Sequence, residues 1–318
     1  MEKIDKAWIL FLNSTNYYTL TTMGLYYDLL QVKTKYPVYC VVTENVSGTD
    51  KNILKKIGLN LIEVNTKNSK IEVLKSNFSN NVTNWKNAFA KLLIIGNDFT
   101  QKFNKICYID TDVRIFKNMD AIFEYPHMSA VEDCAPVRKG LHQKYTLGCS
   151  IFCSGLFIWD YENHPNEGEE ILDKLNTLNK NITWHDQSVL NYFYQEWKDK
   201  EELHIHPKYC LMNVAKNLEL IGLDNICAIH YVNRNKDNWP FNTKTTFKTK
   251  LNTSDLAKFG FKSWVENIGN AIKYFNNKYK LNIMIPNSNN ITELTREDYI
   301  KDVKKARADG KPGCYLYF

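Results

Sequence analysis

Short apolar runs separated by polar breaks fill the N-terminal half of the chain, in the lengths of buried strands alternating with amphipathic helices. The run from Ala7 to Leu12 is a first strand that stops at Asn13-Ser14-Thr15-Asn16, and from Tyr18 to Lys33 the residues Leu20, Met23, Tyr27 and Leu30 recur at helical spacing. Pro37 to Thr43 is a second strand, Asp50 to Ile57 a short helix capped by Asp50, and Leu59 to Val64 a third strand. Residues 65–84 are polar, rich in Asn, Ser and Lys and without period, which predicts a long loop. Trp85 to Ile95 follows as a helix with Trp85, Phe89, Leu92 and Leu93 on one face and Lys91 beside it.

The pattern then sharpens. Lys105-Ile106-Cys107-Tyr108-Ile109 is a strand that ends abruptly in Asp110-Thr111-Asp112. Met119 to Tyr125 predicts a short helix and Met128 to Glu132 a strand. Cys153 to Asp160 opens with a small-residue turn and continues as a strand. Glu167 to Lys180 is an amphipathic helix, a second helix runs from Asp186 to Trp197, and Asn225 to Val232 is a strand carrying His230. Strands alternating with helices predict an α/β fold over residues 1–250. Beyond Leu251 the pattern changes to two or three Lys-rich amphipathic helices, a helical extension over 251–318.

Composition adds mainly exclusions. The 318 residues carry a net charge of +6 that is spread along the chain, so no Lys/Arg block marks a nucleic-acid stripe. The apolar run near the start is too short for a signal peptide, and no run approaches the roughly twenty residues of a membrane span. Eight Cys without paired metal-type spacing are expected to be reduced thiols, which with the missing signal predicts a cytoplasmic protein.

Candidate chemistry sits at the ends of the apolar runs. In a parallel α/β sheet the ligand crevice lies outside the carboxyl ends of the strands. Asp110 and Asp112, spaced i, i+2, share one side of the chain there, with Thr111 turned away. Their hard oxygens suit a divalent cation, and the cation suits a phosphate; a surface acid pair is the bland alternative. Lys91 either snorkels to solvent or reaches a ligand, and Ser154-Gly155 is either a turn or a place where backbone approaches a ligand. Asp186 either caps its helix or does chemistry, and His230 is either a satisfied polar side chain or a metal ligand. No Gly-rich fingerprint follows the first strand, which disfavours a dinucleotide site.

Taken in order, Tyr-Ile-Asp-Thr-Asp (108–112), Cys-Ser-Gly-Leu-Phe-Ile (153–158), His-Asp-Gln-Ser-Val-Leu-Asn (185–191) and His-Tyr-Val-Asn-Arg-Asn-Lys-Asp-Asn-Trp (230–239) resemble the motifs of the glycogenin-like retaining glycosyltransferases, family eight. The resemblance covers roughly residues 7 to 242 and implies a GT-A fold, a Rossmann-like mixed sheet flanked by helices. It implies a UDP-sugar donor, glucose ahead of galactose, and a hydroxyl acceptor on a glycan or protein. Asp110, Asp112 and His230 then look like the ligands of a Mn²⁺ ion, with Mg²⁺ the less comfortable alternative for an imidazole-bearing site. Leu12, Ser14 and Tyr18 look like the contacts to uracil and ribose, and Lys91, Thr111, Cys153, Ser154 and Gly155 like those to the donor sugar. Lys236, with Asn233 before it, falls where the family grips the diphosphate, and Asp186 and Gln187 resemble the catalytic Asp-Gln pair beside the sugar. Family members are often homodimers.

The departures are specific. Cys153 stands where the family usually has Asn, and Asn233 where it usually has Gly; Asn is the best substitute if that turn needs positive φ. The stretch Leu211-Met212-Asn213-Val214-Ala215, which aligns with glycogenin's self-glucosylated region, contains no Tyr, so self-glucosylation there is not expected. The alternative reading is a catalytically inactive module of the same fold that binds a UDP-sugar.

Overall fold

The computed structural model describes residues 2–15, 17–66, 88–133, 151–177, 186–212, 221, 223–231, 247–249, 255–283 and 291–293. In chain order the first half holds β1 (Ile4–Leu12), α1 (Tyr17–Gln31), β2 (Val38–Thr43), α2 (Gly48–Lys56), β3 (Asn60–Val64), β4 (Phe103–Ile109) and β5 (Val113–Ile115). Then come β6 (Ala130–Glu132), β7 (Phe152–Asp160), α3 (Glu167–Thr177), α4 (Asp186–Phe193), β8 (Leu211–Met212), β9 (Ala228–His230), β10 (Phe247–Thr249), α5 (Asp255–Tyr279) and β11 (Ile291–Glu293).

The main sheet has six strands in the order β3-β2-β1-β4-β7-β6. Its β3, β2, β1 and β4 run parallel, whereas β7 is antiparallel to both β4 and β6. Both faces are buried, which explains why these strands read as continuous apolar runs. Trp8, Leu10 and Leu12 of β1, with Cys107 and Ile109 of β4, pack toward α1 and α5. The alternate residues Ala7, Ile9, Ile106 and Tyr108 pack with Phe89, Leu92, Val189 and Leu190 on the other side. Helix α5 approaches α1 most closely at Gly24, where an added Cβ would lie 3.0 Å from Ile268 Cγ1. Asn267 Nδ2 donates to the Gly24 carbonyl there at 3.2 Å. Trp264, Ile268, Ile272 and Phe275 of this C-terminal helix belong to the same core as one face of the sheet.

A second, three-stranded sheet in the order β5-β9-β8 stands beside the end of β4. It pairs Val113 with His230 antiparallel and Met212 with His230 in parallel.

Several local expectations change. Helix α2 is capped by Ser47, whose Oγ accepts the Asp50 N–H at 3.1 Å, because a cap bonds the N–H three residues on. Asp50, expected to cap, lies within the first turn and accepts instead from Thr19 Oγ1 at 3.1 Å. The segment before β4 is a 3-10 helix over Ala88–Ile95, and Trp85 lies outside the described residues. Cys153-Ser154-Gly155 is not a turn but part of the nine-residue β7, with Cys153 paired to Val131 of β6 just before a register shift and the Gly155 carbonyl bonded by the Asp110 N–H. The strand that carries His230 is confined to Ala228–His230. Beyond residue 250 the described residues contain one 25-residue helix and β11, which pairs in parallel with β10 just before that point. Most of the expected loop over 65–84 lies outside the described residues.

Candidate active site

The pairing of β4 with β7 continues past Ile109: the Asp110 N–H donates to the Gly155 carbonyl at 2.8 Å. Two residues later the Asp112 carbonyl accepts the Tyr231 N–H at 3.0 Å, so the acidic stretch is clamped between the main sheet and the small one. That clamp brings His230 Nε2 to 3.1 Å from Asp112 Oδ1 and 3.7 Å from Asp110 Oδ2. His230 and Asp112 are buried, whereas the Asp110 side chain keeps 29% of its surface exposed and marks the open side. Gly155 forms the floor. A Cβ there would collide with His230 Cε1 and lie 3.0 Å from Asp110 Oδ2, so only glycine permits this approach.

Asp110, Asp112 and His230 place one ligand atom each within 4.8 Å of one another, and two carboxylates with an imidazole could hold a divalent cation. Burial works against a charged His230, but the Asp112 carboxylate and the thiols of Cys153 and Cys210 outweigh it and raise its pKa well above the usual imidazole value. A cation held by the same carboxylates would take that proton's place.

His127, His164 and Glu167 form a second group of comparable spacing at the other end of β7. Its hydrogen bonds argue against a metal. His127 Nδ1 already accepts the Asp160 N–H at 3.1 Å, so Nε2 carries the ring proton and faces Glu167 Oε2 at 3.2 Å. Glu167 also contacts His164 Nδ1 at 2.7 Å and accepts from Tyr194 Oη at 2.8 Å, which completes a metal-free network.

Beside the first cluster lies a buried lysine. Lys91 projects from the 3-10 helix, and its Nζ donates to the Ser154 carbonyl at 3.1 Å and Ser154 Oγ at 3.2 Å. It pairs with the Asp186 carboxylate, lies 3.5 Å from Asp110 Oδ1, and sits over the Tyr108 ring. Burial pulls the Lys91 pKa down, but Asp110 and Asp186 more than compensate and raise it, so the ammonium stays charged. Ser154 Oγ donates to Asp186 Oδ2 at 2.6 Å. Gln187 Oε1 accepts the Ser154 N–H at 3.2 Å, and its Nε2 donates to Asp133 Oδ2 at 2.6 Å. Asn191 fastens α4 to β7 by exchanging hydrogen bonds with both backbone groups of Phe152 at 2.9 Å.

Most of the expected site residues therefore converge. Asp110, Asp112, His230, Gly155, Ser154, Lys91, Asp186 and Gln187 form one connected cluster. Asp186 begins α4, and its carboxylate engages Lys91 and Ser154, while His185 lies outside the described residues. Leu12 is the buried last residue of β1, Ser14 follows it and Tyr18 lies in the first turn of α1; β1 pairs in parallel with β4 at Ile9–Tyr108, so this end of β1 lies at the same edge as Asp110. Thr111 is buried between the two acids. Cys153, expected at the donor sugar, has its thiol 3.7 Å from His230 Nδ1. Asn233 and Lys236 lie outside the described residues.

Tyr108, Asp133 and Cys210 were missed as site neighbours. The Tyr108 hydroxyl donates to Asp110 Oδ1 at 2.5 Å, and its position two residues before the acid on one strand was a usable signal. Asp133 and Cys210 arrive from distant segments without any local motif.

A mixed sheet with parallel strands delivering an acid pair to its carboxyl edge, a histidine completing that pair, and a Lys–Asp pair beside it define a GT-A glycosyltransferase. The chain belongs to glycosyl transferase family 8, whose model matches residues 9–240. Among relatives, it is 24% identical over 271 residues to galactinol synthase 1 of Solanum lycopersicum, covering 81% of each chain. It is 22% identical over 283 residues to galactinol synthase 4 of Arabidopsis thaliana, covering 81% of this chain and 80% of that one. In fold it resembles the galactosyltransferase LgtC solved with donor and acceptor sugar analogs, with a TM-score of 0.55 and 14% identity over 83% of this chain and 95% of that one. The glycosyltransferase GlyE of Streptococcus pneumoniae superposes with a TM-score of 0.52 at 15% identity, covering 87% of this chain and 64% of that one. Among the described residues no helix is long and apolar enough to cross a membrane.

Proposed function

We propose that the protein transfers a hexose from a UDP-hexose to a hydroxyl acceptor with retention of anomeric configuration, and that Asp110, Asp112 and His230 hold Mn²⁺ for that reaction. The observation that carries this reading is the position of Asp110. Its Oδ2 faces His230 while its Oδ1 faces Lys91, so one carboxylate joins the cation cluster to the Lys91–Ser154–Asp186 cluster. A leaving diphosphate and the sugar it departs from need such adjacent sites. Mn²⁺ bound there supplies a Lewis acid for the charge growing on the diphosphate. Imidazole in the donor set favours Mn²⁺ over Mg²⁺.

On the sugar side, Asp186 is the residue that would stabilise positive charge at the anomeric carbon, with the charged Lys91 paired to it. Ser154 and Gln187 orient it and line the sugar pocket. Leu12, Ser14 and Tyr18 bind uracil and ribose at the adjoining sheet edge, and Lys236 with Asn233 adds a cation and a turn at the diphosphate. The sequence favoured glucose as the donor sugar. The galactosyltransferase of similar fold supports galactose as the second candidate. The acceptor hydroxyl belongs to a glycan, a polyol or a protein.

The test is a panel of UDP-sugars incubated with purified protein and Mn²⁺, following UDP release and intact-protein mass. UDP released from one donor, and abolished by chelation, is the expected result and names the sugar. A hexose-sized gain in mass would make the protein its own acceptor. UDP–Mn²⁺ binding with no turnover across donors and a panel of glycan, polyol and protein acceptors would overturn catalysis in favour of a binding module.

A further inference from the structure

We infer that Cys153, and not a donor-sugar contact, is the residue that fixes the orientation and tautomer of His230. This rests on the reading of Asp110, Asp112 and His230 as a cation site. Nε2 of His230 faces both carboxylates, at 3.1 and 3.7 Å, and is the nitrogen available to a cation. Nδ1 must then carry the ring proton and needs an acceptor on the far side of the ring. Cys153 Sγ lies there at 3.7 Å from Nδ1, and the Cys210 thiol also bonds the ring.

The sulfur is itself oriented. It accepts the Gly155 N–H at 3.4 Å, so its position is tied to the backbone of β7 two residues on. Cys153 is also paired with Val131 of β6, which holds the residue inside the sheet. The Cys210 thiol neighbours the same ring and comes from the segment just before β8, the strand that pairs with β9 at His230. The imidazole is thus backed by sulfur on its Nδ1 side and faced by carboxylates on its Nε2 side.

The choice of thiol has an electrostatic reason. Metal-bound histidines commonly donate to a carboxylate or a backbone carbonyl. Here Asp110 and Asp112 already bring negative charge to a largely buried cluster, and another carboxylate behind the ring would add like-charge repulsion. A thiol accepts the hydrogen bond without adding that charge. Cys153 and Gly155 both meet His230, whereas Ser154 between them meets Lys91 and Asp186, as alternation along a strand requires. In this arrangement the Cys153 side chain belongs to the cation side of β7 and Ser154 to the sugar side.

The experiment measures Mn²⁺ binding in the presence of UDP, by the electron paramagnetic resonance signal of free Mn²⁺, for wild type, Cys153→Val, Cys153→Ser and Asp112→Asn. Cys153→Val keeps volume and removes the acceptor, and the expected result is a Kd for Mn²⁺ raised about 10- to 100-fold. Cys153→Ser, which keeps an acceptor, should recover most of that loss. The KM for the UDP-sugar at saturating Mn²⁺ should be unchanged by Cys153→Val. A wild-type Kd in Cys153→Val overturns the proposal, and a raised donor KM with that Kd would return Cys153 to the sugar. Wild type and Asp112→Asn binding Mn²⁺ equally would overturn the cation-site reading and this inference with it. If Cys153→Val fails to melt cooperatively, Cys153→Ala against Cys153→Ser gives the same comparison.

Discussion

His230 packs against Gly155 so closely that the smallest side chain would collide with it, a Cβ falling 2.9 Å from Nδ1 and closer still to Cε1. Gly155 lies inside β7 with its carbonyl bonded by the Asp110 N–H, which holds the backbone against the imidazole. Gly155→Ala should therefore push the imidazole off its position and lower activity by about 100-fold or more, the scale of a 1 Å misplacement. The checking measurement is the rise in melting temperature on adding UDP and Mn²⁺, which should be lost in the variant while its unliganded melt stays cooperative.

Asp186→Ala separates binding from chemistry. The carboxylate engages Lys91 and Ser154 and is not one of the three groups that would hold the cation, so UDP–Mn²⁺ affinity should survive. Turnover should fall by about 100- to 1,000-fold, as when an aimed electrostatic group is removed. Wild-type turnover in this variant, followed by UDP release, would overturn the catalytic assignment.

Lys91→Met leaves Asp186 buried without its ammonium. Breaking one side of a buried pair costs about 3–5 kcal/mol, and the lower end applies because Ser154 still donates to Asp186. Urea unfolding should show that loss, and activity should fall with it. A variant of unchanged midpoint and activity would remove Lys91 from both roles.

Chelation should abolish UDP binding and turnover together, and Mn²⁺ should restore both. Asp112→Asn weakens the cation's hold while leaving the Tyr231 N–H bond to the Asp112 carbonyl intact. Excess Mn²⁺ should thus partly rescue it, which a simple activity titration reads directly.

Behind the site, Asp28 of α1 bonds Arg114 at 2.6 Å and accepts the Ile115 N–H at 2.9 Å. Burial pushes its carboxyl up to about 7 against the pull of Arg114. A raised acid pKa means that the folded state binds this proton more tightly than the unfolded one. Its contribution to stability is therefore greatest below the unfolded value, about 4, and is lost as pH rises toward 7. The difference is at most about 4 kcal/mol for this group. Urea midpoints at pH 5 and pH 8 should fall further for wild type than for Asp28→Asn; equal slopes would refute it.

The strands were legible because burial on both faces made them uniform apolar runs, and the Asp110–Asp112 pair because period two places i, i+2 on one side. Ser154-Gly155 was misread as a turn because small residues in sequence look alike whether they bend a chain or let something approach it. Here they sit in mid-strand, where small size admits His230 on one side and Lys91 on the other. Lys91 gave no local sign of its burial. Its ion pair with Asp186 spans more than ninety positions, and only the fold joins them. A separation of 54 positions hid the bond between Gln187 and Asp133 in the same way.

The placement of the two clusters on opposite sides of β7 makes them separable under substitution. If Ser154 and Gln187 line the sugar pocket as proposed, a change at either reshapes it while leaving the imidazole where it is. An inserted residue in β7 cannot be absorbed in that way: a slip of one position exchanges the faces, turning the thiol toward Lys91 and the hydroxyl toward His230. Donor preference in this chain is thus open to drift one side chain at a time, whereas the length of this strand is not.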